Sequence, residues 1–119
     1  MRLILAGVAL AGLMAGPAVA QEGRYAAQLT RIIGEAAEWT CSATLMAPSL
    51  LDACNAQIAA MAPALSGLGA VETVTFVSTQ ETPEGPVETY SVKFEGGQTL
   101  TWFIGQERDG KFNSVGAGG

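Results

Sequence analysis

From Val71 to Val115 apolar and polar residues alternate in short runs, broken by turns rich in glycine and proline. No other feature constrains the fold as strongly. A strand of period two has one apolar face and one polar face, and strands joined by tight turns pair antiparallel. The first run is Val71 to Gln80, with Val74 and Phe76 on one side and Thr73, Thr75 and Val77 on the other. Glu81 to Pro86 is a turn by composition. In the second run, Val87 to Glu95, Tyr90, Val92 and Phe94 alternate with Thr89, Ser91, Lys93 and Glu95. In the third, Leu100, Trp102 and Ile104 oppose Thr99, Thr101 and Phe103.

Parity fixes the turn at Gly96-Gly97. A two-residue loop would pair Phe94 with Thr99 and split the apolar residues between two faces. A three-residue loop closed by a left-handed glycine puts Tyr90, Val92, Leu100 and Trp102 together, because one step of register inverts a whole strand. Arg108-Asp109-Gly110 is read as a turn of the same form. It sets Glu107 opposite Lys111, a favourable cross-strand pair, places Phe112 on the Trp102 side and Val115 on the Phe103 side.

An apolar sheet face needs a cover, and residues 21–66 have helical spacing. Tyr25, Leu29, Ile32, Ile33 and Ala36 recur at three and four between Gly23 and Trp39, and Arg31 and Glu35 can pair one turn apart. A second stripe holds Leu51, Cys54, Ile58, Met61 and Leu65. Ser49 has the character of an N-cap with Asp52 three residues on. Pro63 should end this helix near Ala62 or kink it, and Ser66-Gly67-Leu68-Gly69 stops it. Helices first and strands after predict an α+β domain of two helices on a four-stranded antiparallel meander, with Gly116 to Gly119 a flexible tail.

Residues 1–20 have the three parts of a cleavable secretory signal: basic Met1-Arg2, an uncharged run from Leu3, and Ala18-Val19-Ala20 as the cleavage site after Pro17. Export takes the chain to a periplasmic or extracellular space, where Cys41 and Cys54 can oxidise. They are the only two cysteines, so one structural disulfide is expected, stapling the corner between the helices. Such a loop stabilises by roughly 3 kcal/mol in the chain-entropy model.

The chain has a formal net charge of −5, and from residue 21 five basic residues face 11 acidic ones. Phosphate binding needs clustered Lys and Arg, so nucleic acid is a poor partner and so is an anionic membrane surface. There is no histidine, which removes Ser–His and Cys–His catalysis and leaves no metal ligand set. The carboxylate pairs Glu81/Glu84 and Glu35/Glu38 read as solvated charges. No glycine-rich loop joins a strand to a helix, so phosphate cradling and a cofactor are unsupported. Tyr90 and Trp102 fall on the core face. Trp39 either packs on Cys41 or anchors a partner, and Thr101, Phe103 and Val115 form the best contact ridge on the open sheet face.

Phe94-Glu95-Gly96-Gly97, Leu100-Thr101-Trp102 and Asp109-Gly110-Lys111-Phe112, with Leu68-Gly69 leading into Val74-Thr75-Phe76, resemble the end of small exported bacterial domains of the cystatin-like, nuclear-transport-factor-like superfamily. The resemblance covers about residues 65–115 and implies a curved sheet wrapped around a helix, with a pocket in larger members. The Gln-x-Val-x-Gly hairpin of the protease-inhibiting cystatins is absent, since Gln98-Thr99-Leu100-Thr101-Trp102 departs from it. The layout is also similar to one half of secreted beta-lactamase inhibitor proteins and to related envelope-assembly lipoproteins, which implies a protein-docking sheet. The expectation is therefore a non-enzymatic module binding a protein or small ligand by its sheet face. The alternative is a small carrier or enzyme with a pocket between helices and sheet, using Tyr90 or a buried carboxylate.

Overall fold

The computed structural model describes residues 23–118. The signal segment expected over residues 1–20 lies outside the described residues. The described chain is an α+β domain: helices α1 (Ala26–Ala37) and α2 (Pro48–Leu68), then strands β1 (Val71–Thr82), β2 (Gly85–Phe94), β3 (Thr99–Arg108) and β4 (Lys111–Gly118). The strands form one antiparallel meander in the order β1-β2-β3-β4.

Leu29, Ile32, Ile33 and Ala36 give α1 its buried stripe. The helix ends in a Schellman motif: Thr40 N–H donates to Glu35 O (2.9 Å) and Trp39 N–H to Ala36 O (3.1 Å). Trp39 holds the left-handed position, with φ 66°. Arg31 and Glu35 pair at 2.7 Å on the solvent side.

Helix α2 corrects two expectations. Its N-cap is Ala47, with Pro48 in the first turn, so Ser49 lies inside the helix and caps nothing. Proline is favoured there because its missing N–H would have had no partner. The helix also runs through Pro63 to Leu68. Pro63 faces solvent while Ala62 and Leu65 are buried, so packing on both sides holds the helix against the loss of one backbone bond. Cys41 and Cys54 form the expected disulfide, tying the connection after α1 to α2.

The β2–β3 hairpin has the three-residue loop. Phe94 N–H donates to Gln98 O (2.9 Å) and Gly97 has φ 98°. Tyr90 therefore opposes Trp102 and Val92 opposes Leu100. The β3–β4 turn differs from expectation. Asp109 and Gly110 both take positive φ (56° and 83°) in a two-residue loop, so Arg108, not Glu107, opposes Lys111. Two left-handed residues give the turn whose twist matches the strands, and Glu107 Oε2 accepts the Gly110 N–H at 2.7 Å. Register moves by one, and Val115 lies opposite Ile104 and packs on the core instead of sharing the Phe103 face. Phe112 still reaches the core, because Gln106 has φ 54° and the ladder skips Gln106 and Asn113. Gly116, Ala117 and Gly118 pair with Phe103, Trp102 and Thr101, so this segment belongs to β4 and is not a tail.

The core lies between the helices and the even-numbered residues of β2 and β3: Tyr90, Val92 and Phe94, then Trp102 and Ile104. Strand β1 bulges at Glu72 and Val77, where the register with β2 shifts.

Candidate functional site

A cavity of about 430 Å³ lies between α1, α2 and the β3–β4 half of the sheet. The physical reason is side-chain size. On the sheet side β4 contributes Val115, Ala117 and only the backbone of Gly116, whose side-chain position faces Phe103 on the other side, and α2 turns Ala53 and Ala64 towards the same space. Small residues on two facing elements cannot fill the gap that Leu50, Met61, Leu100 and Trp102 bound. No charged residue lines it, and Gln57 is the one polar side chain other than the Trp102 indole. Ala53, Gln57, Ala64 and Ala117 are exposed, so the hollow opens to solvent between α2 and β4.

Trp102 lines this cavity with its ring but keeps its indole nitrogen out of it. It is 7% exposed, and its indole Nε1 is buried with no hydrogen-bond partner. An orphaned donor costs about 1–3 kcal/mol, and native interiors seldom keep one without a reason. A second hollow, of about 490 Å³, lies between α1 and the start of β1, flanked by the exposed Thr30, Gly34, Glu38 and Ser66. None of its lining residues is an orphaned polar group.

Tyr90 does meet a buried carboxylate, that of Glu88, which is 2% exposed. Tyr90 O–H donates to Glu88 Oε1 at 2.5 Å. The carboxylate also accepts the backbone N–H groups of Arg24 (2.9 and 3.1 Å) and Tyr25 (3.2 Å), while the Arg24 guanidinium approaches to 3.6 Å. The Tyr25 N–H also reaches the Tyr90 oxygen at 3.1 Å. Helix α1 has no side-chain cap of its own, so Glu88 supplies one from the sheet, with its negative charge at the positive end of the helix. Gly23 fits this crossing because a Cβ there would overlap the Tyr90 hydroxyl. Burial, reinforced by the bond to Glu88, pushes the Tyr90 phenol well above its ordinary value. Neither residue lines the cavity, and the carboxylate is occupied by chain anchoring.

The residues expected at the site are dispersed. Thr101 and Phe103 share the open sheet face, where Phe103 is 37% exposed and its ring covers Gly116. Val115 lines the cavity on the other side. Trp39, 58% exposed, lines neither hollow. One signal in the sequence pointed further. Glu88 sits two residues before Tyr90 on one strand and so shares its face. The cavity depends on Ala117, paired with Trp102 in β4 beyond the last residue assigned to a strand by alternation alone, and no sequence signal marked it.

Among the described residues no group of three or more His, Cys, Asp and Glu side chains could hold a metal, and no helix is long and apolar enough to cross a membrane. Fold and site together define a small disulfide-stapled α+β domain with an apolar hollow under its second helix. Searches against protein-family models, curated proteins and solved structures find no match to this chain.

Proposed function

We propose that this chain is an exported, non-enzymatic binding module that holds a neutral, apolar group in the cavity between α2 and the β3–β4 strands. The observation that carries this reading is the 430 Å³ hollow, lined almost wholly by apolar side chains and open to solvent between α2 and β4. Its volume lies within the roughly 300–1,000 Å³ range of small-ligand pockets. An apolar lining with few polar groups is the usual constitution of a small-ligand site. The uncharged wall disfavours an ion. The disulfide supports an oxidising destination, and the acidic balance disfavours nucleic acid. A helical layer over an antiparallel sheet with a hollow between them fits the cystatin-like resemblance of residues 65–115, which belongs to the same proposal.

The test uses residues 21–119 with Trp39→Phe, so that Trp102 is the one remaining tryptophan. Titration with the neutral dye N-phenyl-1-naphthylamine should give saturable one-to-one binding with a change in Trp102 emission. Ala64→Phe, at the exposed mouth, should abolish it with the fold intact by circular dichroism. A linear, unsaturable response in the unfilled protein would remove the reading. The open sheet face offers a second reading, favoured by Phe103 and by Val77 at 56% exposure. Phe103→Asp should then lower recovery of a partner from periplasmic extract while leaving dye binding unchanged.

A further inference from the structure

We infer that the occupant of this site is an extended, apolar segment of another protein, flanked by basic residues, which adds to the free edge of β4 and places a side chain in the cavity. The inference rests on the cavity reading above.

Four observations converge on it. First, the outer edge of β4 already accepts a strand-like partner at its start. Met46 bridges Phe112 in parallel, Phe112 N–H donates to Leu45 O (2.8 Å), and Ala47 N–H donates to Phe112 O (2.9 Å). That pairing stops because Pro48 begins α2 and carries the chain away. Beyond it, Asn113 to Gly118 has β3 as its sole strand partner among the described residues. An added strand would continue an existing ladder.

Second, the two edges of the sheet are treated differently. Open edges invite pairing, and proteins block them with bulges, charges and proline. Edge strand β1 has two bulges and carries Glu72 and Glu81. The β4 segment Asn-Ser-Val-Gly-Ala-Gly has no charge and no proline, and Ser114 to Gly118 pairs residue for residue with β3. Its side chains are small, so a second backbone can approach.

Third, the cavity opens beside this edge. Val115, Gly116 and Ala117 form part of its wall, and exposed Ala53, Gln57 and Ala64 of α2 form the opposite rim. A strand laid outside β4 passes the mouth, and alternate side chains turn towards it. In this mode of recognition main-chain bonds supply affinity and a pocket supplies selectivity.

Fourth, charge and size choose the occupant. The formal net charge of −5 attracts basic flanks. A second copy pairing through β4 would bring little to fill the hollow. Val115 is the one large apolar side chain of Ser114–Gly118, and it is committed to its own core.

The experiment uses residues 21–119 and a fluorescein-labelled synthetic peptide of alternating valine and threonine with one central leucine and lysine at each end. A second peptide is identical but N-methylated at alternate backbone amides. The plain peptide should bind saturably, and methylation should weaken it at least tenfold. Amide exchange of residues 113–118 should slow on binding, and Ala64→Phe should weaken it. Equal binding of both peptides would overturn edge pairing. Dye binding to the cavity without peptide binding would overturn the inference and leave the cavity reading standing. Loss of both would remove both. Concentration-dependent protection of residues 113–118 without peptide, matched by dimer in sedimentation, would assign the edge to a second copy and overturn the inference.

Discussion

Glu88 shows how one buried charge can organise a chain terminus. Its oxygens face three donors that have few other partners, two of them backbone N–H groups at the start of α1. Glu88→Gln turns one accepting oxygen into an amide NH2 that faces donors, and should cost about 2–3 kcal/mol, read as a lower urea midpoint. Tyr90 adds a pH signature. Burial raises its phenol, and burial also raises that of Tyr25. Raised folded-state values stabilise fully below the ordinary phenol value near 10 and lose that contribution as pH rises beyond it, because the unfolded chain ionises first. The urea midpoint should therefore fall from about pH 10 upward, and Tyr90→Phe should flatten that decline. The two tyrosines are the only phenols, so absorbance near 295 nm follows both directly.

The turns and strands carry their constraints in glycines of two kinds. Gly110 sits at φ 83° with open space around a would-be Cβ. Gly110→Ala should lose about 1 kcal/mol, purely from the left-handed backbone. In Gly105 the obstacle is contact instead. A Cβ there would overlap the backbone at Pro86 and Val87 of the neighbouring strand. Gly105→Ala must part β2 from β3 and should cost several kcal/mol. Thermal unfolding of the two variants should separate them clearly, with Gly105→Ala far the lower. The same β3–β4 turn explains why Val115 faces inward. Asp109-Gly110 closes a shorter loop than expected, and one residue of register inverts β4 relative to β3.

At the scale of the whole molecule, stability and the site depend on the corner where α2 leaves the disulfide. Cys41 and Cys54 are 13 residues apart, and Cys54 lines the cavity. Replacing both by alanine should cost roughly 3 kcal/mol, measured as urea midpoints of the oxidised and substituted proteins. It should also weaken dye binding, since the α2 wall then has one tie fewer. The four-stranded meander was legible because alternation, glycine turns and parity each specify register locally. The disulfide was legible because two thiols admit one pairing. Glu88 was hidden by its charge, although its spacing from Tyr90 placed it on the buried face. Trp39 was legible as exposed or packed but not as the left-handed residue of a Schellman motif, which bulky side chains seldom occupy.

The order of elements, the α+β class, the face of each helix and the β2–β3 register follow from local periodicity, which acts over a few residues and can be read in a line. The persistence of α2 through Pro63 and the hollow beside β4 were decided by packing between elements far apart in the chain, whereas the length of the last turn, and with it the inward turn of Val115, was a local Asp-Gly signal that parity alone misread. A void exists only where small residues of two such elements face each other, and no local pattern records that meeting.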